Sequence, residues 1–323
     1  MLVTSTNVLA PHELETGRDV RLYARSRPCP NTSGLAPTYL QANLIILPSK
    51  YASDFRLLCA RNPVPCPLIA ESSGSGRWDS VRSHLQGLDG QALLTDVDIR
   101  NDAPKYNVYR DSKLVKSGCP DIVEDWTDDH VAFLIGCSFS FESSLAAAGL
   151  PPLHTTLKRN VPMYRTIIPL CPAGVFTGST FVVSMRPYRA SDIPTVRNIT
   201  RVFSATHGEP IAWGWEAVRA LGIEDIDSPE WGDVPITRDG VPLGSLSGDD
   251  ELVPVFWGCG VTPQEAVMRA NLDGVRFGDH LTAAAGMAVV PGAESSGVYH
   301  ELATGTFADR RPSHEVEHVT PLN

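Results

Sequence analysis

Two short stretches place a glycine, a cysteine, a hydroxyl residue and an acid or amide directly after an apolar run. Gly136-Cys137-Ser138-Phe139-Ser140-Phe141-Glu142 follows Val131–Ile135, and Gly258-Cys259-Gly260-Val261-Thr262-Pro263-Gln264 follows Val253–Trp257. Glycine at a strand end lets a ligand approach the backbone, and free N–H groups at the start of a following helix favour an anion. A cysteine there sits where a thiolate would be stabilised. Ser140 and Thr262 are placed as helix N-caps, with Pro263 suited to the first helical position and Glu265 completing a capping box. Two matching corners read as pseudo-symmetric halves lining one cleft beyond the carboxyl ends of strands. The bland alternative, buried small cysteines and hydroxyls that merely cap, stays open.

Arginine supplies the next layer. Met163-Tyr164-Arg165-Thr166 and Ser184-Met185-Arg186-Pro187 each end a β-rich stretch with an arginine, the residue suited to forked binding of a carboxylate. A structural ion pair is the alternative for each. His207-Gly208 is either a helix C-terminal cap or a titrating group.

The elements that must position these residues alternate between strand and helix. Leu44–Leu47 reads as a strand stopped by Pro48, and Ala52–Leu58 as a helix ended by Asn62-Pro63. Leu94–Val108 reads as strand, turn and strand. Phe141–Ala148 is a short helix closed by Gly149 and Pro151, while Val161–Ile168 and Thr180–Met185 are β-rich. Ile193, Val196, Ile199 and Phe203 predict a helix over Asp192–Ala205, and a further helix starts at Pro263. The pattern implies an α/β fold: a layered mixed sheet with helices on both faces, plus a smaller packed or inserted α+β domain. Residues 1–138 and 188–310 form the expected main domain, 139–187 the smaller one, and 311–323 a disordered tail.

Composition bounds the function. The chain has 323 residues, 42% hydrophobic and 20% charged, which suits a globular protein with a sizeable core. A net charge of −10 argues against nucleic acid or anionic lipid as a general partner. No apolar run approaches the roughly 20 residues of a membrane span, and the first ten residues lack a secretory pattern. Seven cysteines, an odd count in a large chain, imply reduced thiols in a cytoplasm. His314-Glu315-Val316-Glu317-His318 matches a zinc-protease pattern, but it lies between prolines with almost no apolar face, so no metal is expected. Asp96, Asp98 and Asp102 read as a solvated acidic turn.

With these segments in hand, the chain resembles the hydro-lyase family that includes the bacterial homologues of D-glutamate cyclase. The resemblance rests on Gln41–Pro48, Arg61-Asn62-Pro63 with Pro65-Cys66-Pro67-Leu68, Ile135–Glu142, Asn160–Thr166, Val183–Pro187, His207-Gly208 with Pro210, and Val253–Gln264. These occur in order over about residues 40–265. The resemblance implies an α/β fold, no organic cofactor, and, for the cyclase branch, loss of water from free D-glutamate to give 5-oxo-D-proline. The sequence departs from the usual pattern around Glu71–Trp78, at Trp213-Gly214-Trp215-Glu216, in the extra stretch Leu243–Glu251, and at Gly286-Met287 with Val289-Val290-Pro291. An altered substrate in a specialised pathway is the expected consequence.

Lactam closure needs the ammonium deprotonated, the distal carboxyl bent onto it and a hydroxyl protonated as it leaves. Glu142 is the expected proton carrier, Arg165 or Arg186 the carboxylate clamp, and the backbone at Gly136 and Gly258 the oxyanion site. Cys137 or Cys259 as a thioester-forming nucleophile is the alternative. Asn43, Asn62, Tyr164, His207 and Gln264 complete the expected substrate contacts. Literal α,β-elimination from a hydroxy acid, or carboxylic-acid binding without turnover, are the competing readings. The expected partner is a small carboxylic acid, and a homodimer stays open.

Overall fold

The computed structural model describes residues 14–26, 32–110, 113–249 and 251–282. The zinc-like pattern at 314–318, the tail at 311–323 and the departure at 286–291 lie outside them. Eleven strands are described: β1 (Gln41–Pro48), β2 (Leu68–Ser72), β3 (Val81–Ser83), β4 (Tyr106–Arg110), β5 (Lys113–Cys119), β6 (His130–Gly136), β7 (Met163–Pro169), β8 (Thr180–Arg189), β9 (Ala212–Trp213), β10 (Leu252–Gly258) and β11 (Arg276–Thr282). The helices are α1 (Gly17–Ser26), α2 (Ala52–Arg61), α3 (Gly90–Leu93), α4 (Glu142–Ala147), α5 (Leu153–Thr156), α6 (Ile193–Thr200), α7 (Trp215–Ala220) and α8 (Val261–Arg269).

The strands form two sheets, one ordered β3-β2-β6-β1-β11-β4-β5 and the other β7-β8-β10-β9. The α/β class is as expected, but every described ladder in both sheets is antiparallel rather than mixed. The second sheet also reaches beyond the segment 139–187, drawing β9 and β10 from later in the chain. The two Gly-Cys corners therefore leave different sheets, β6 from the seven-stranded one and β10 from the four-stranded one.

Strand β1 is buried along its whole length because it has a core on each face. Ala42, Leu44 and Ile46 join one cluster with Leu145, Val196, Phe203 and, from the second sheet, Tyr188, Val255 and Trp257. Ile45 and Leu47 join another with Phe55 and Leu58 of α2 and Ala266 and Val267 of α8. The outer face of the second sheet, with Val183, Met185 and Phe256, is covered by Ala217, Leu221 and Leu243. The sheets thus pack through the first cluster, and helices close the outer faces.

Some local expectations shift. Helix α6 stops at Thr200, short of the predicted Ala205, because Phe203 leaves helical geometry (φ −90°, ψ 45°) to enter the core. Residues 94–105 form turns rather than a strand. Asp98 accepts from the Arg100 backbone, and the carboxylate of Asp102 accepts from the amide of Asp98 and from Arg25. Thr262 does not cap α8; its hydroxyl donates to the carbonyl of Val182 and accepts from that residue's amide, tying the helix to β8. Glu265 bonds Arg165 instead of closing a capping box, and Ser140 accepts from the backbone of Gln41.

Two buried ionisable groups serve the first sheet. Burial lowers His130, and the charge of Arg276 adds to it, to about 4 against the usual 6.5. Burial opposes ionisation of Glu71, but hydrogen bonds from His84, Arg82 and Arg56 outweigh it and hold the carboxyl at about 2 against 4.5. On acidification the unfolded chain gains a proton at His130 from about pH 6.5 that the folded chain refuses until about 4. Glu71 adds a second loss between about 4.5 and 2. Urea midpoints measured from neutral pH downward should therefore fall in these two windows, and His130→Gln should make the first shallower without abolishing it, because His207, also held at about 4, titrates across the same range.

Phe55 rests 4.6 Å from the ring of Phe133 and 5.7 Å from that of Phe176, between α2 and β6. Phe55→Ala should cost about 3–5 kcal/mol of stability in urea unfolding. Leu57, 47% exposed on the same helix, should cost within about 0.5 kcal/mol on truncation.

Candidate active site

The exit of β6 and the entry to α4 meet β8 between the two sheets. Arg186 lies on β8 opposite Val255 of β10, on the face turned towards the first sheet, and has no solvent exposure. Its Nε and Nη2 donate to Oε1 of Glu142 at 3.0 and 2.5 Å, Nη1 donates to Ser184 Oγ at 3.1 Å, and Nη2 to Ser138 Oγ at 3.0 Å. The rings of Phe141 and Trp257 lie 5.2 and 5.4 Å from the guanidinium carbon. Arg186 is thus engaged by the protein itself and is not presented as an open carboxylate clamp.

Glu142 opens α4 and is buried. Nε2 of His154, on α5, lies 3.2 Å from Oε1, and Oε2 accepts from Ser33 and Thr155 at 3.3 and 3.4 Å. Burial would raise the Glu142 carboxyl, but Arg186 and then His154 outweigh it and hold it down at about 2. At neutral pH it is a fixed anion, whereas a proton carrier works best near the operating pH.

The two corners meet, with the Gly136 carbonyl 3.4 Å from where a Cβ on Gly260 would lie, but each glycine packs mainly against other parts of the protein. A Cβ on Gly136 would fall 1.9 Å from the carbonyl of Ala205, and the Gly136 amide already donates to Pro67. A Cβ on Gly258 would lie 3.1 Å from the Val64 carbonyl and 3.3 Å from His207 Nδ1; one on Gly260 would strike Asn43 Oδ1 at 2.0 Å. The glycines admit neighbouring protein, and the Gly136 N–H is spent before any oxyanion could use it. Cys137 and Cys259 share an apolar cluster with Phe139, Val161, Met163 and Val182, and burial pushes the Cys259 thiol up to about 12. For Cys259 that disfavours a thiolate. The six described cysteines are all free.

His207 and Asn43 complete this junction. His207 has a left-handed backbone (φ 85°), its Nδ1 lies 2.8 Å from the carbonyl oxygen of Val64, and burial lowers it to about 4. The backbone of Gly136 flanks the ring as that of Val64 does. Asn43 Oδ1 is buried without a partner.

Other expected contacts lie elsewhere. Asn62 ties the end of α2 to the 171 loop, bonding the Leu58 carbonyl and both backbone groups of Cys171. Tyr164 donates to the carbonyl of Ile226 inside the outer cluster. Arg165, 39% exposed, pairs with Glu265 and Glu230. Gln264 is half-buried on α8. Asp96, Asp98 and Asp102 face Arg18, Arg100 and the pair Arg21 and Arg25. Among the described residues, no group of three His, Cys, Asp or Glu side chains is arranged to hold a metal, and no helix is long and apolar enough to cross a membrane.

His154 is the residue the sequence reading passed over. The signal was present: α4 ends at Ala147, Gly149 takes a left-handed φ of 78°, and Pro151-Pro152 precede α5, so the chain doubles back within twelve residues of Glu142.

The D-glutamate cyclase family profile matches residues 131–290. A Schizosaccharomyces pombe protein is 43% identical over 75% of this chain and 73% of its own length. A Corynebacterium urealyticum protein is 45% identical over 74% and 81%, and one from Rubrobacter xylanophilus 41% identical over 81% and 90%. All three carry the name "Putative hydro-lyase". With identity at that level over most of its length, the chain belongs to the hydro-lyase family that carries the D-glutamate cyclase domain.

Proposed function

We propose that the protein removes water from a small amino acid bearing a second carboxyl group, closing it to a lactam as in conversion of D-glutamate to 5-oxo-D-proline. The observation that carries the reading is the shared carboxylate of Glu142, held ionised between Arg186 and His154 where the two sheets meet. Lactam closure forms one N–C bond and breaks one C–O bond. Two protons leave the ammonium nitrogen and depart with the oxygen as water, so there is no net uptake or release. Such a reaction needs a group that takes a proton and gives it back, beside a charge that does not titrate. Glu142 supplies the second.

The two thiols have no part in this scheme. Loss of a true nucleophile costs on the order of 10⁴-fold or more, so Cys137→Ala and Cys259→Ala should each keep turnover within about tenfold in the same assay.

The test is incubation of the purified protein with D- and L-glutamate, their homologues and a set of hydroxy acids, with mass spectrometry following loss of one water. Lactam from D-glutamate or a homologue is the expected result, and Glu142→Gln should lose at least about 100-fold in kcat. An unsaturated acid in place of a lactam would overturn cyclisation while leaving a hydro-lyase, and no water loss from any acid would overturn the reading.

A further inference from the structure

The β3 edge of the first sheet carries a separate concentration of charge, on the face that α2 covers. Glu71 of β2 is fully buried, and its ladder partners are Phe133 of β6 on one side and Arg82 of β3 on the other. Three basic side chains meet its carboxylate. Nε of Arg56, on α2, donates to Oε2 at 2.6 Å, Nη2 of Arg82 donates to Oε1, and Nε2 of His84 lies 3.3 Å from that same oxygen. We propose that this cluster is a binding site for a phosphate group, either free or carried as the monoester of a small molecule. The site is independent of the reaction proposed above.

The first support is charge balance. One guanidinium is enough to neutralise a buried carboxylate. Arg56 and Arg82 both pair with Glu71 and, among the described residues, with no other acid. The cluster is therefore left positive in a chain whose net charge is −10. Arg77 on the same edge shows the contrast, matched one to one by Asp79 through bonds of 2.9 and 3.0 Å.

The second is what stays open to solvent. The side chains of Arg56, Arg82 and His84 are 39, 59 and 32% exposed, whereas that of Glu71 has no exposure. Nη1 and Nη2 of Arg56, Nε and Nη1 of Arg82 and Nδ1 of His84 have no hydrogen-bond partner among the described residues. A carboxylate ligand brings two oxygens to those donors. A phosphate group brings three and more charge, the match that arginine forks favour.

The third is preorganisation. The β2–β3 ladder sets Arg82 directly beside Glu71, and His84, two residues on, reaches the same oxygen. Arg56 comes from the helix packed over this face, its guanidinium carbon 5.8 Å from the ring of Phe133. Glu71, held at about 2, stays ionised as their common anchor. An arginine already tethered by one nitrogen gives up little further side-chain freedom when its other nitrogens take a ligand.

The test is titration of the whole chain with inorganic phosphate, with glycerol phosphate, and with glutarate and chloride at matched ionic strength, read by calorimetry and by unfolding temperature. The wild type should bind one phosphate saturably, and its unfolding temperature should rise with phosphate concentration. Arg56→Gln and Arg82→Gln should each weaken binding by about tenfold or more, whereas Arg77→Gln should leave it unchanged. Tighter binding of glycerol phosphate would assign the site to a monoester, and tighter binding of inorganic phosphate to the free ion. Should either variant fold poorly, phenylglyoxal modification of the wild type, read by peptide mass, still decides: phosphate should protect Arg56 and Arg82 but not Arg77. No saturable binding to the folded wild type, or binding that both variants keep, would overturn the proposal. Glutarate or chloride binding as tightly as phosphate would overturn it as well.

Discussion

A guanidinium without solvent contact, set between two β-sheets, is the constraint around which the middle of this molecule is arranged. Burying an unpaired arginine costs several kcal/mol, and removing one partner of a buried pair typically costs about 3–5 kcal/mol. Arg186 is tolerated because Nε, Nη1 and Nη2 each meet an acceptor, from Glu142, Ser184 and Ser138. Those three acceptors come from different elements: the first turn of α4, β8 itself and the exit of β6. The apolar cluster brings the sheets together without direction, whereas this network permits one relation between the β6 corner and β8.

The same constraint reassigns the corner residues. A strand ending in Gly-Cys is an attractive place for a ligand, and each corner taken alone supports that reading. In the structure each corner is filled by neighbouring protein instead. Gly136 accommodates the Ala205 carbonyl, Gly258 the loop at Val64 and His207, and Gly260 the side chain of Asn43. The cysteines fill the apolar gap left beside them. What remains polar at this junction, such as Asn43 Oδ1, is buried behind protein.

The division between what was legible and what was not follows from the range of the interactions. The strands at Val131–Ile135 and Val253–Trp257 and the helix at Ala52–Leu58 rest on local pattern, and each appears in the structure, whereas the pairing of Glu142 with Arg186 is a contact across 44 residues that no local pattern gives. The pairing of β6 with β1 and of β10 with β8 is non-local, so neither the antiparallel ladders nor the split of the corners between sheets could be read from periodicity. For the same reason Arg186 read as a free clamp, and Thr262 as a cap rather than a strand tie. His154 sits in a four-residue helix with no periodic signature, and only the return of the chain through Gly149 and two prolines gives it meaning.

Sharing one carboxylate oxygen between Arg186 and His154 has a structural consequence as well. Arg186 lies on β8, His154 on α5 and Glu142 at the start of α4, so a single anion ties the second sheet to both short helices that follow β6. Held at about 2, Glu142 keeps that charge across the neutral range, so the tie is not released by ordinary changes of pH. The net charge of −10 says little about the ligand such a junction would meet, because at short range the nearest charges set the field and the wider surface is screened within about 10 Å.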